Sequence, residues 1–203
     1  MARRNDHSRE ELTELTLSTV ENFLETRSFH DLSLRKIAGL IGYVPSTLIN
    51  VFGNYNLLLL HVVARTVDKL AIQARSRLSG LNDPKAQLRE LAYCYLEFAA
   101  QNPYRWQLVF EHNMKGERLP QWQSDRINGM TGILEGLLRA LSPSRSQQEV
   151  TEASRVLWAG VHGITLLSVD DKLFTDQPVN GKNLIDNLLN SYLPAWTQEH
   201  RDG

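Results

Sequence analysis

The sequence predicts an all-α protein of about nine helices, and three observations support this prediction. Apolar residues recur at the 3.6-residue spacing of amphipathic helices along most of the chain. No segment sustains the alternation of apolar and polar residues, bounded by turn residues, that is typical of a strand. Pro, Gly and N-cap residues separate the helical segments. With 203 residues, 42% of them hydrophobic, the chain is long enough to bury a substantial core.

The first three helices are predicted from their faces and end signals. The first covers residues 8–27, with an apolar side of Leu12, Leu15, Val20, Phe23 and Leu24 and a solvent side of Glu10, Glu11, Glu14 and Glu21. A short helix begins after Ser33, a favourable N-cap residue, and ends near Leu40 before a tight turn at Gly42. Pro45 then begins a third helix, because its missing N–H is not needed at the first helical position, and Gly53 ends it.

Six further helices follow, and most have clear end signals. They are predicted at about residues 56–78, beginning at Asp83-Pro84, beginning at Asn102-Pro103, following Pro120 and ending near Leu141, at 147–169 and at 181–198. The Asp-Pro and Asn-Pro pairs are typical of an N-cap followed by the first helical residue. The connection at 170–180 is the longest outside a helix, and we expect it to be the most mobile loop.

Composition excludes several classes of protein. The net charge is −1, and residues 1–60 carry six basic and seven acidic side chains, so an indiscriminate nucleic-acid binder is not indicated. No apolar run approaches the roughly 20 residues of a membrane span, and the start MARRNDHSREE lacks the apolar core of a signal peptide. We therefore expect a cytoplasmic protein with no membrane partner. The only cysteine, Cys94, has no partner for an internal disulfide.

Signals of catalysis are weak. The sequence contains no HExxH, no GxSxG, no Walker loop and no Gly-rich fingerprint between a strand and a helix. Glu111-His112 and Asp170-Asp171 lack partners at a metal-ligand spacing. The sequence therefore predicts no enzyme, no catalytic residue, no metal and no cofactor.

Residues 33–52 form a pattern of helix, tight turn and helix. This pattern is typical of the motif that places its second helix in the major groove of DNA, although an ordinary helical hairpin has the same outline. The run LSLRKIAGLIGYVPSTLINVFGNYNLLL resembles the signature of the TetR family of transcriptional regulators. The matching residues are Ser33, Arg35, Ile37, Ala38, Gly42, Thr47, Leu48, Phe52, Leu57 and Leu58.

The resemblance implies a dimeric repressor that binds a palindromic operator and is released by a small molecule. It implies a three-helix DNA-binding domain at 1–55 and a helical effector-binding and dimerisation domain at 56–203. Ile37, Leu48 and Phe52 would hold the first domain together. We expect the DNA contacts from Arg3, Arg4, Ser33, Arg35, Lys36, Pro45, Ser46, Thr47, Ile49, Asn50 and Tyr55.

Within this set, two kinds of contact are expected. Ser46, Thr47 and Asn50 offer hydrogen bonds and Ile49 an apolar contact to thymine methyl groups, whereas the basic residues would contact phosphates. The chain departs from the family pattern at several positions. Val44 replaces a Ser or Thr N-cap, and Tyr55 stands where many members carry a phosphate-contacting Lys. Ile49 and Val51 replace aromatic residues on either side of Asn50, so the operator sequence cannot be carried over from the family.

The second half of the chain carries another resemblance. LEFAAQNPYRWQLVFEHNM and LWAGVHGI are similar to an effector domain named for a Trp-His-Gly motif, here Trp158, His162 and Gly163. Candidate residues for a pocket that binds an apolar or aromatic effector are Tyr93, Phe98, Trp106, Phe110, Trp122, Met130, Trp158 and His162. The same aromatic residues fit an ordinary core, and a lone His on an apolar face is more often a packed residue than a ligand-binding group.

Two helices near the end of the chain have more than one interpretation. Gly129, Gly132 and Gly136 share one helix, which is either soft enough to adjust around a ligand or closely packed against a neighbour. The last helix has a broad apolar face that includes Leu184, Leu188, Tyr192 and Trp196. The family resemblance implies that this face forms a four-helix interface in a homodimer, and an intrachain core is the alternative.

The function predicted from these observations is a ligand-responsive dimeric repressor whose partners are double-stranded operator DNA, a small effector and a second copy of the chain. The alternative is a helical small-molecule-binding protein that has lost specific DNA recognition. Binding to DNA from the upstream region of its own gene would discriminate between the two.

Overall fold

A computed structural model describes residues 7–114, 116–169 and 180–198 of the chain. In this part of the chain there are nine α-helices: α1 (Arg9–Phe23), α2 (Leu34–Leu40), α3 (Pro45–Phe52), α4 (Tyr55–Leu78), α5 (Pro84–Gln101), α6 (Pro103–Glu111), α7 (Gln121–Leu141), α8 (Gln147–Val169) and α9 (Gly181–Thr197). The predicted all-α fold is confirmed. A 3-10 helix at Phe29–Asp31 was not predicted, and the loop expected at 170–180 lies almost entirely outside the described residues.

Local capping explains where several helices begin. Ser8 and Glu11 form a capping box at α1, in which each side chain accepts a hydrogen bond from the other residue's backbone N–H. Ser33 Oγ accepts from the Lys36 N–H at 3.2 Å, as expected for the N-cap of α2. The Asp83 carboxylate accepts from the backbone N–H groups of Lys85 and Ala86, which confirms the predicted start of α5.

The chain divides into two compact units. The first contains residues up to Val67 together with Asn102–Ser124, and the second contains Asp68–Gln101 and the residues from Asp125 onward. The boundary between these units differs from the one predicted between residues 55 and 56. That predicted boundary separates a DNA-binding domain from an effector-binding domain, and this division by function stays a prediction. Counted over the described residues, no single helix is long and apolar enough to cross a membrane.

The first unit has one hydrophobic core beneath α2 and α3. Ile37 of α2 and Leu48 of α3 are fully buried, together with Val20 of α1 and Leu58 and Val62 of α4. Phe52 is also buried. The three residues expected to hold this unit together therefore do lie in its core.

Glu21 of α1 was predicted on the solvent side, and this prediction is wrong. Its side chain is buried and receives a hydrogen bond from Arg105 Nη1 of α6 at 2.8 Å and another from Arg65 Nη1 of α4 at 3.2 Å. Arg105 Nη2 also donates to the Glu21 backbone carbonyl at 3.1 Å. Because a buried carboxylate needs a charged partner, Arg105 and Arg65 explain why Glu21 can occupy an interior position.

In the second unit α5, α8 and α9 pack against one another. Leu157 of α8 and Ile185 and Leu189 of α9 are buried between them. A Cβ atom added at Gly160 of α8 would lie only 2.8 Å from Leu188 Cδ2, so glycine permits the close approach of α8 and α9.

Candidate functional site

The turn between α2 and α3 has the geometry predicted for a helix-turn-helix. Gly42 adopts a φ of 76°, in the left-handed region that glycine reaches without a steric penalty. The Tyr43 N–H donates to the Ala38 carbonyl at 2.9 Å, and the Gly42 N–H donates to the Gly39 carbonyl at 3.3 Å. Only four residues, 41–44, therefore separate the end of α2 from the start of α3.

The two sides of α3 differ in burial. Leu48 and Phe52 are buried in the core of the first unit, whereas Ser46, Ile49 and Asn50 are exposed. Pro45 and Thr47 are half-buried near the start of the helix. The solvent face of α3 therefore carries hydroxyl, amide and aliphatic groups and no charge, in the pattern expected for direct readout of base edges.

The basic residues of α2 lie beside this face. Arg35 and Lys36 are both exposed. The Lys36 ammonium group donates to the Asp31 carbonyl at 2.9 Å and lies 4.7 Å from the centroid of the Phe23 ring. These contacts hold the Lys36 side chain near the carboxyl end of α1. The predicted phosphate contacts Arg3 and Arg4 lie outside the described residues.

The structure argues against one predicted DNA contact. The hydroxyl group of Tyr55 is buried, and its side chain packs against the hydrophobic core of the first unit. Burial also raises the pKa of this hydroxyl. Tyr55 therefore acts as a core residue at the start of α4, and its hydroxyl is not presented to a phosphate.

Two contacts that join the start of the chain to the helix-turn-helix were not predicted. Arg9 Nη2 donates to the Val51 carbonyl at the end of α3, at 3.1 Å. The His7 imidazole Nδ1 and the Tyr43 hydroxyl, in the turn before α3, lie 2.7 Å apart in a hydrogen bond. Sequence patterns offer no signal for either pair, because the partners are about 40 residues apart and on different elements.

The candidate effector residues are divided between the two units. In the first unit Trp106 is buried and its ring lies 4.6 Å from that of Phe110, while Trp122 stacks on His61 at 4.6 Å. The other five, Tyr93, Phe98, Met130, Trp158 and His162, belong to the second unit. Two of these five, Trp158 and His162, are in direct contact with each other.

Trp158 and His162 form a cluster with Tyr95, a residue that was not among the predicted effector contacts. The indole of Trp158 and the imidazole of His162 are stacked, with centroids 5.2 Å apart and planes 8° apart. The Tyr95 hydroxyl lies 3.0 Å from His162 Nδ1. Burial raises the pKa of Tyr95 and lowers the pKa of His162, so a neutral phenol meets a neutral imidazole near pH 7. Deeper on the same side of α8, the Thr165 hydroxyl is buried and has no hydrogen-bond partner among the described residues.

Another predicted effector residue, Tyr93, is part of a charged surface. The Lys182 ammonium group lies 5.1 Å from the centroid of its ring and 2.5 Å from Glu97 Oε1. Glu97 also pairs with Arg77 of α4, at 2.5 Å. The hydrogen bond from Lys182, followed by the one from Arg77, lowers the pKa of Glu97. These ion pairs connect α4, α5 and α9.

The residues proposed for the dimer interface fall into two groups. Leu184, Leu188 and Tyr192 are half-buried. Trp196 lies in the intrachain core, where its indole N–H donates to the Leu138 carbonyl at 3.1 Å and the Arg145 guanidinium group lies 5.1 Å from its ring centroid. For Trp196 the alternative interpretation, an intrachain role, fits the structure better than an interface role.

The neighbouring helix α8 exposes apolar side chains that were not predicted. Val156 is 54% exposed and Leu166 is 51% exposed. In chain order Val156, Ala159, Gly163 and Leu166 are separated by three, four and three residues, so they share one face of the helix. This face has no covering element in the described part of the chain.

A metal site is not indicated among the described residues, where no three His, Cys, Asp or Glu side chains are placed to hold an ion. The described helices thus offer a neutral helix-turn-helix face, an aromatic cluster in the second unit and an exposed apolar face on α8.

Comparisons with known proteins agree with this architecture. Residues 88–192 match the family described as the tetracyclin repressor-like C-terminal domain. A structure from Rhodococcus sp. RHA1, of a protein with unknown function, has a TM-score of 0.76 at 16% identity and covers 97% of this chain and 100% of that chain. The comparison with curated proteins gave no match.

Two further similar structures carry functional names. A tetR family transcription regulator from Shewanella sp. PV-4 has a TM-score of 0.67 at 18% identity, covering 91% of this chain and 98% of that chain. AibR, solved in complex with isovaleryl coenzyme A and operator DNA, has a TM-score of 0.60 at 15% identity, covering 92% and 99%. At these identities the likeness shows the fold.

The family match establishes which family the chain belongs to, because it extends over more than half of the 203 residues. It supports the TetR resemblance read from the helix-turn-helix, and the Trp-His-Gly subtype stays a prediction. The chain belongs to the TetR family of transcriptional regulators.

Proposed function

We propose that this protein is a homodimeric transcriptional repressor that binds a palindromic operator and is released by a small, apolar or aromatic effector. The observation that carries the proposal is the division of α3 into a buried side, Leu48 and Phe52, and an exposed side, Ser46, Ile49 and Asn50. A helix held in this way by a tight turn is suited to insertion into the major groove.

The neutral face of α3 would read bases, and its neighbours would hold the phosphates. Ser46 and Asn50 carry the donors and acceptors that recognise base edges, and an Asn side chain pairs well with adenine. Arg35 and Lys36 of α2, and Arg3 and Arg4, supply positive charge for the backbone. The structure of AibR with operator DNA supports this proposal, since that protein has the same fold.

The effector would bind in the second unit beside the cluster of Tyr95, Trp158 and His162. The cluster combines the stacked rings of Trp158 and His162 with the hydrogen bond between the Tyr95 hydroxyl and His162. Aromatic rings beside a neutral polar pair suit a mainly apolar molecule with one hydrogen-bonding group. AibR was solved with isovaleryl coenzyme A, so this fold does accommodate small ligands. Mass spectrometry of small molecules released from the purified protein tests this part of the proposal.

The dimer would form through α8 and α9. The exposed Val156 and Leu166 of α8, and the half-buried Leu184, Leu188 and Tyr192 of α9, are apolar surfaces that a second copy can cover. Two copies of this helix pair would make a four-helix interface. A palindrome is read by two α3 helices about one turn of DNA apart, so the proposed function requires a dimer.

Binding to DNA tests the central claim. Fluorescence anisotropy with duplexes from the upstream region of the gene, and with duplexes selected from a random library, should give a specific complex. Asn50→Ala should weaken it about tenfold or more, because a good pair between an amide side chain and a base is worth about 1–3 kcal/mol. Asn128→Ala makes the same chemical change at an exposed position of α7 and should have no effect. If no duplex binds better than random DNA, the protein is not a sequence-specific repressor.

A further inference from the structure

Val44 is an unusual residue for the position that it occupies. It is the N-cap of α3, with extended backbone angles (φ −98°, ψ 151°), and its side chain makes no capping hydrogen bond. At α1, α2 and α9 the N-cap is Ser8, Ser33 and Asn180, and each side chain caps the helix. At α6 the N-cap side chain makes no capping bond either, but the residue there, Asn102, is polar. Polar residues are strongly preferred at this position because they satisfy a free backbone N–H group.

Burial does not compensate for the missing cap. The Val44 side chain is 60% exposed, so it adds little to the hydrophobic core of the unit. A valine that neither caps the helix nor packs in the core lowers the stability of the isolated fold. Such a residue is better explained by a contact that the protein makes with a partner.

The position of Val44 indicates which partner. In a helix-turn-helix, the N-terminal residues of the second helix contact the base edges in the major groove. Val44 lies at that end of α3, and the exposed Ile49 lies five residues further along, about one and a half helical turns. Between Val44 and Asn54 the chain carries no Lys, Arg, Asp or Glu, so the usual partners of guanine and cytosine are absent from α3.

Apolar side chains recognise one feature of the major groove, the C5-methyl group of thymine. Resting on the proposed DNA binding, we propose that Val44 is a specificity-determining residue, which together with Ile49 packs on thymine methyl groups. Each operator half-site then contains at least two thymines that are read by apolar contact. The missing N-cap is the structural consequence of placing an aliphatic group where it meets the first of them.

Replacement of thymine by deoxyuridine tests this inference, because it removes the methyl group and leaves base pairing intact. The experiment uses the full chain and a duplex selected from a random library, with each thymine of a half-site replaced in turn. For the wild-type protein, two replacements should each weaken binding about fourfold, the effect of one buried methyl group. Val44→Ser should bind the duplex without deoxyuridine more weakly than the wild type does. At one of the two positions, and only there, replacement of thymine should no longer weaken the binding of this variant.

Two controls separate this contact from a general loss of structure. Val44→Ser provides the missing N-cap, so its melting temperature should rise even though its affinity falls. Leu40 is 56% exposed at the end of α2, and Leu40→Ser should keep the wild-type response to both replacements.

The possible outcomes are distinct. If Val44→Ser responds to every replacement as the wild type does, or if no replacement weakens wild-type binding, Val44 does not read a methyl group, while the proposed DNA binding stands. The same conclusion follows if Leu40→Ser loses the response assigned to Val44. If the wild type selects no duplex at all, the proposed function and this inference both fail.

Discussion

At the scale of single residues, Glu21 shows how a long-range partner changes the role of a side chain. The helical pattern placed it with other glutamates on the solvent side of α1. In the structure Arg105, 84 residues away, makes two hydrogen bonds to it, and Arg65 makes a third. Glu21 joins α1 to α4 and α6 within the first unit.

We expect Glu21→Gln to destabilise the protein by about 3–5 kcal/mol, because the variant leaves the buried Arg105 guanidinium group without its countercharge. Urea denaturation followed by circular dichroism measures the free energy of unfolding. Glu25→Gln is the matched control. Its side chain is exposed and lies 3.9 Å from the same arginine, so it should cost less than about 1 kcal/mol. Equal effects of the two substitutions would mean that the buried pair adds nothing beyond a surface contact.

At the scale of helices, the start of α8 depends on a small group of charged and polar atoms. The Glu149 carboxylate accepts hydrogen bonds from the Ser146 backbone N–H and hydroxyl, each at 2.8 Å, and from Arg145 at 2.8 Å. These bonds lower the pKa of Glu149 to about 2 from an ordinary value of 4.5. The bond from the Ser146 backbone has the largest effect, followed by the bonds from the Ser146 hydroxyl and from Arg145. A carboxyl group with a lowered pKa stabilises the folded state above pH 4.5, and this contribution is lost as the pH falls from 4.5 to 2.

Glu149→Gln should therefore unfold at a lower temperature than the wild type at pH 6, and the difference should shrink as the pH falls toward 2. Ser146→Ala removes a cap hydroxyl and should cost about 1 kcal/mol at pH 6. Ser144→Ala, in the exposed loop before the helix, should change neither the unfolding temperature at pH 6 nor its dependence on pH. Differential scanning calorimetry at several pH values provides the comparison. A difference that grows in acid would show that Glu149 is not the stabilised carboxylate.

Glycine has opposite roles in α7 and α8. A Cβ atom added at Gly132 of α7 would meet no described atom within 4 Å, so close packing inside the chain does not explain this residue. Gly132→Ala should stabilise the protein by up to about 1 kcal/mol, the difference in helix propensity. Gly160→Ala, the matched change in α8, should destabilise it, because Leu188 would have to move. Thermal unfolding measures both, and a loss of stability in Gly132→Ala would mean that a neighbour does pack there.

At the scale of the whole molecule, the features that can be predicted from the sequence are those whose interacting residues lie close together in the chain. Ser33, Gly42 and Pro45 act on atoms a few residues away, so the helix-turn-helix was predicted nearly to the residue. A helical pattern identifies an apolar face but does not name what covers it. Trp196 was therefore assigned to an interface although it donates to the Leu138 carbonyl, and Tyr95 was missed although it contacts His162.

The proposed homodimer depends on two residues that were not predicted to form it. These are Val156 and Leu166, which are exposed on one face of α8. Val156→Glu should convert the dimer to a monomer, because two carboxylates would be buried facing apolar surface. Ile72→Glu is the control, since Ile72 is 65% exposed but lies on α4, and this variant should remain dimeric. Light scattering after size-exclusion chromatography gives the masses. Because a palindrome requires two copies of α3, Val156→Glu should also lose most of its affinity for the operator while keeping its helical circular dichroism. A monomeric wild type, or a dimeric Val156→Glu, would show that α8 does not form the interface.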